Sequence, residues 1–119
     1  MANPNIVNVT TINGKTKGAT TSTSLSAVLS NSASSGQVYK VNTIIASNTS
    51  ASLTIGVDVS WSDSTDDYYI VKNIDIPPDT TLLVLDKNSQ IYVEENTSIK
   101  AKATSAGLLD LLISYEVVS

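Results

Sequence analysis

The sequence predicts an all-β chain, a single-domain antiparallel β-sandwich of jelly-roll or Ig-like type with about eight short strands. Three observations predict it. Apolar and polar residues alternate with a period of two along Leu53, Ile55, Val57, Val59 and Trp61, and again along Leu109, Leu111, Ile113, Tyr115 and Val117. Clusters of Ser, Asn, Asp, Gly and Pro punctuate the chain at intervals of ~8–12 residues, the spacing of short strands. No segment carries the 3.6-residue periodicity of an amphipathic helix of useful length. At 119 residues and 41% hydrophobic composition the chain can bury one two-layer core. Phe is absent and rings come only from Trp61 and five Tyr, so the core is aliphatic and thin, as between face-packed sheets.

Along the chain, Ile6 to Ile12 is the first expected strand, Asn13-Gly14-Lys15 a turn, and Thr16 to Thr23 flexible by composition. Residues 1–18 form an N-terminal arm or first strand, and residues 19–119 the sandwich. Ser24 to Leu29 suits a strand or one helical turn, and Ser30 to Gly36 is a loop. Gln37 to Ser47 is a long β-branched strand with Tyr39, Val41, Thr43 and Ile45 on one face and Val38, Lys40, Asn42, Ile44 and Ala46 on the other. The polar link Asn48 to Ser52 predicts that strands 37–47 and 52–61 pair as an antiparallel hairpin. In the second of these strands Thr54, Gly56, Asp58 and Ser60 form the wet face.

The acidic loop 62–67 precedes a strand from Tyr68 to Ile76, which Pro77-Pro78-Asp79 stops because proline has no N–H to pair. Leu82 to Leu85 is a short strand, Asp86-Lys87-Asn88-Ser89 a turn, and Gln90–Val93 and Ser98–Ala103 are strands on either side of Glu94-Glu95-Asn96-Thr97. The last strand, after Ser105-Ala106-Gly107, is apolar on one face and partly so on the other, which marks a central strand.

Composition excludes several function classes. All seven positive charges are Lys, eleven carboxylates oppose them, and the net charge of −4 disfavours phosphate backbones, so no nucleic-acid partner is expected. Arg, the side chain best suited to bidentate phosphate recognition, is missing. Without Cys there are neither disulfides nor thiolate metal sites. Met1 to Thr10 is polar, and no apolar run approaches the ~20 residues of a membrane helix, so a soluble chain made in the cytoplasm is expected. The triplets beginning at Asn8, Asn48 and Asn96 are chance matches to a glycosylation signal in a Ser/Thr-rich chain.

Catalysis needs a nucleophile with a base, paired carboxylates or a metal cluster, and the absence of His and Cys removes the commonest of these. Glu94 and Glu95 point to opposite faces of an extended chain, and Asp110 and Glu116 lie on an outward face, so no enzyme is expected. Asp63, Asp66 and Asp67 lack the ligand spacing of a calcium loop, and Asn13-Gly14-Lys15-Thr16 lacks the upstream glycine of a phosphate loop; no metal or cofactor is expected. The candidate functional residues are contacts for a partner: Tyr68 and Tyr69, of which a regular strand must turn one outward, and Ile6, Val7 and Val9, whose strand is able to add to a neighbour's sheet edge.

Several segments carry a specific likeness. Met1-Ala2-Asn3-Pro4-Asn5-Ile6-Val7-Asn8-Val9-Thr10 with Ile12-Asn13-Gly14-Lys15-Thr16, then Val38-Tyr39-Lys40-Val41-Asn42, Ile76-Pro77-Pro78-Asp79-Thr80-Thr81-Leu82, Ile91-Tyr92-Val93-Glu94-Glu95 and Ser114-Tyr115-Glu116 resemble small virion structural proteins of tailed, cyanophage-like bacteriophages. The resemblance runs over nearly the whole chain and implies no catalytic residues. It implies a virion location, a homo-oligomer, and the major capsid protein or other virion proteins as partners. The expected role is a capsid decoration or cement protein; a neck- or tail-associated protein and a carbohydrate-binding β-sandwich using Tyr68, Tyr69 and Tyr92 are the alternatives.

Overall fold

The computed structural model describes residues 10–119. Nine strands alternate with turns: β1 (Ile12–Thr20), β2 (Ser26–Asn31), β3 (Val38–Asn48), β4 (Ile55–Ser62), β5 (Asp67–Ile76), β6 (Thr81–Leu85), β7 (Ile91–Val93), β8 (Thr97–Ala103) and β9 (Leu109–Val118), with one 3-10 turn at Lys87–Ser89. They form two antiparallel sheets, β1-β9-β3-β6 with β7 also on β3, and β2-β8-β4-β5. The expected β-sandwich is therefore present, and its strand order is that of a jelly roll, a long fold-back wound into two facing sheets. The pairing is nested: β4 with β5, β3 with β6 and β7, β2 with β8, β1 with β9. Contacts β3 to β9 and β4 to β8 then close each sheet.

The hairpin expected between residues 37–47 and 52–61 does not form. Strands β3 and β4 lie in different sheets, and the segment between them crosses the sandwich at a corner. Asn48 makes the corner. Its buried amide donates to the carbonyls of Leu53 (2.7 Å), Ile76 (2.9 Å) and Pro77 (3.2 Å), while its Oδ1 accepts the Ser50 N–H. These bonds satisfy backbone groups that a two-stranded turn would have paired. A second buried amide, Asn31, donates to Gln37 O and Val93 O and so ties β2 to β7 across the layers.

Residues 13–15 are not a turn and residues 16–20 are not irregular. They belong to β1, held in unbroken register against β9 from Ile12–Val118 to Thr20–Asp110. Long-range pairing here overrides a local turn signal. Ser24 to Leu29 resolves toward strand, in β2. Strand β9 is central, as its two apolar faces imply.

Within β3 the two expected faces are interrupted by a bulge at Asn42, where the register against β9 shifts. Val41 and Ile44, three residues apart, are thereby both inward, with Ala46 and Asn48 following them. In β4, Ile55, Val57 and Val59 face the core as expected, but the interleaved residues are not wet: Asp58 is 3% and Ser60 0% exposed. The register sets Lys102 beside Asp58 and Lys100 beside Ser60, and Lys102 Nζ lies 3.8 Å from the Asp58 carboxylate. Leu53 precedes β4 and is exposed. Trp61 sits half-buried at the core margin, 6.0 Å from the Tyr68 ring. Tyr39 and Tyr115 pack at 5.3 Å; burial pushes the Tyr115 phenol pKa up and Tyr39 adds to the shift.

The corner gives a direct test. Asn48→Ala leaves three carbonyls and one N–H without their partner and is expected to cost about 2–4 kcal/mol, read from urea unfolding. A loss under about 0.5 kcal/mol would show that the corner holds without the amide.

Candidate interaction surface

The chemistry-bearing residues are dispersed. Asp63 accepts the N–H groups of Thr65 (3.0 Å) and Asp66 (2.7 Å), which close the β4–β5 turn and hold its carboxyl below the ordinary aspartate range. Asp67 pairs with Lys100 at 3.4 Å. The acidic loop thus stabilises a turn. Glu94 is exposed, whereas Glu95 turns back to accept the Gly36 N–H. Among the described residues, no three His, Cys, Asp or Glu side chains gather as a metal site.

A small polar hollow lies over β4, lined by Thr23, Gly56, Asp58, Asn73, Lys102 and Thr104. Its buried carboxylate, Asp58, is engaged. Oδ1 accepts the Asn73 N–H at 2.7 Å, and Oδ2 lies 3.8 Å from Lys102 Nζ. Asn73 has φ +54 at a register break of β5, so Asp58 holds a left-handed bulge, a conformation that asparagine tolerates better than most residues.

Of the residues expected to meet a partner, Tyr68 and Tyr69 lie on the edge strand β5, 55% and 42% exposed. Tyr68 stands beside Trp61 and Tyr69 beside Ser60, so consecutive rings turn to opposite faces. Lys72 Nζ rests 4.6 Å from the Tyr69 ring centre. Ile6, Val7 and Val9 lie outside the described residues.

A surface that the sequence reading did not single out crosses the outer face of the other sheet. Gly18, Leu112, Ile45 and Leu83 stand side by side on β1, β9, β3 and β6. Leu112 is 48% and Leu83 56% exposed, and Ile45 is half-buried between them. Hydroxyl-rich rows flank this apolar one: Thr16, Ser114 and Thr43 on one side, Thr20, Asp110, Ser47 and Thr81 on the other. An apolar strip with a polar rim on a rigid sheet has the composition of a protein contact. Its signal in the sequence is a set of apolar doublets, Ile44-Ile45, Leu82-Leu83 and Leu111-Leu112, in which a strand must send one member outward.

No family model matches the chain, and no curated protein matches it. Among solved structures, it is similar to the crystal structure of a pentameric capsid protein isolated from metagenomic phage sequences, at 14% identity and a TM-score of 0.42. The alignment covers 87% of this chain and 59% of that one. A likeness at this distance carries no argument about what the chain does.

Two outcomes are expected. Asp58→Asn keeps an oxygen for the Asn73 N–H and loses only the ion pair with the well-exposed Lys102, costing under about 1 kcal/mol. Asp58→Ala removes both and costs about 1–3 kcal/mol; equal losses from the two variants in thermal unfolding would assign the role to charge instead. For Asp63, the lowered folded pKa means its contribution is present above the unfolded-state pKa and is lost as pH falls through the folded one. An NMR titration should place its midpoint below the ordinary aspartate value, with the Asp66 and Thr65 amides shifting together with it.

Proposed function

We propose that this chain is a structural protein of a bacteriophage virion, without catalytic activity, and that it serves as a decoration or cement protein of the capsid. It docks on the shell as an oligomer and holds neighbouring subunits together against the pressure of packaged DNA. The observation that carries this reading is the row of exposed Leu112 and Leu83 with half-buried Ile45 between them, flanked on both sides by hydroxyl-rich rows. Leu112 and Leu83, about half exposed, add little to folding stability where they stand, whereas a docking contact buries them. The resemblance of the quoted segments to virion structural proteins supports the shell as the surface that is met. The net charge of −4 suits a place away from the packaged DNA.

Cryo-electron microscopy of the parent particle tests the assignment. Density for this chain over the capsid lattice is the expected result; density confined to the neck or tail would move the chain there, and none on the particle would overturn the virion role. On purified shells, the double variant Leu83→Glu, Leu112→Glu should unfold like the native chain, since both positions are exposed, yet bind at least about tenfold more weakly.

A further inference from the structure

We propose that the free edge of β1 is a docking site for an extended acidic segment of another protein, which adds to the sheet as a further strand. Among the described residues β1 pairs with β9 alone. Thr11 and Ser119 exchange both backbone hydrogen bonds, and the Thr21 N–H donates to Leu109 O. Hydrogen-bonded positions alternate along an antiparallel pair. The odd residues from 11 to 21 therefore face β9, and Ile12, Gly14, Thr16, Gly18 and Thr20 direct their N–H and C=O groups to the open side.

The other edges are guarded by their backbone. Strand β2 has six residues with a register break between Ala27 and Leu29, and β5 breaks register twice and carries the left-handed Asn73. Strands β6 and β7 are short and separated by the 3-10 turn. Such breaks and short edges prevent strand addition. Strand β1 has neither, running nine residues in continuous register.

Two features specify what is added. Gly14 and Gly18 both belong to the open set, and a Cβ at either would meet nothing within 4 Å. Neither adopts a positive φ, so nothing inside the chain requires glycine, although glycine weakens a strand. The Gly18 gap borders Leu112 on the outer face and the Gly14 gap borders Glu116, so an incoming apolar side chain finds room and an apolar neighbour at Gly18. On the opposite face Lys15 and Lys17, beside Tyr115 and Ile113, form no ion pair among the described residues. Antiparallel pairing of two β1 strands about Thr16 would set Lys15 of one against Lys17 of the other, which disfavours a second copy of this chain. An incoming strand with carboxylates two residues apart neutralises both lysines and presents its alternate, apolar residues to the glycine gaps. This partner is defined by its chemistry, and the inference stands or falls apart from the virion role.

Amide hydrogen exchange on the full chain tests it, with the peptide acetyl-Thr-Val-Glu-Val-Glu-Val-Thr-amide as the probe and its lysine counterpart as the control. At ~1 mM, a concentration chosen for a weak peptide contact, the acidic peptide should slow exchange at Gly14, Thr16, Gly18 and Thr20 by more than about tenfold, and the lysine peptide should not. The variant Lys15→Glu, Lys17→Glu should reverse that preference, and Gly18→Val should keep the native melting temperature while weakening docking. The proposal is overturned by slow exchange of these amides in the free protein, by protection regardless of peptide charge, by protection through self-association, or by no response to the acidic peptide.

Discussion

The structure depends on one constraint: the chain folds back on itself about the turn at residues 63–66, and every later strand pairs with an earlier one in nested order. Ser62 meets Asp67 at the fold, Tyr39 meets Val93 further out, and Ile12 meets Val118 at the ends. The carboxylate of Asp63 stabilises the innermost point by taking the N–H groups of Thr65 and Asp66. Winding this fold-back into two layers needs corners, and the corners are where buried amides appear. Asn48 and Asn31 satisfy backbone groups that leave one sheet before they join the other. Because most pairings are remote in sequence, loop closure precedes their reward, a feature of slow-folding β topologies.

Nesting also explains which parts of the fold were legible in the sequence. The period-two patterns of β4 and β9 report burial on one face of a strand, which holds whatever the partner, so β9 stands where the alternation placed it and β4 does so from Ile55 onward, Leu53 lying outside it. Pairing is a separate matter. Adjacent strands joined by a polar link suggest a hairpin, yet β3 and β4 face each other through the core, because β3 is needed by β9 and β4 by β8. Asn13-Gly14 has turn chemistry, but the strand beside it, β9, presents a continuous ladder, and that ladder decides the conformation. The bulge at Asn42 turns Ile44 inward against simple alternation, a shift of face that a strict period of two does not foresee.

The candidate surfaces were less legible for the same reason. Alternation along one strand indicated that one of Tyr68 and Tyr69 is exposed; both are, because β5 lies at a sheet edge. The row Leu112, Ile45 and Leu83 is assembled from three strands distant in sequence, so it exists only once the register is known. Its trace in the sequence, the doublets, has an equally plain meaning in a central strand buried on both sides. Asp58 gave a misleading sign: a charge on an alternating strand reads as solvent-facing, whereas this one is buried against Lys102 and the bulged Asn73.

A sandwich that exposes apolar residues must still avoid indiscriminate pairing, and the arrangement of edges shows how this one does. Bulges, short strands and a left-handed residue close three sides by geometry, which rejects every incoming strand alike. Strand β1 is closed by charge instead, through Lys15 and Lys17, and charge rejects only partners of the same sign. The hydroxyl rows that flank Leu112 and Leu83 confine the apolar strip to a width that one complementary surface covers. The proposed recognition and the protection thus rest on the same residues.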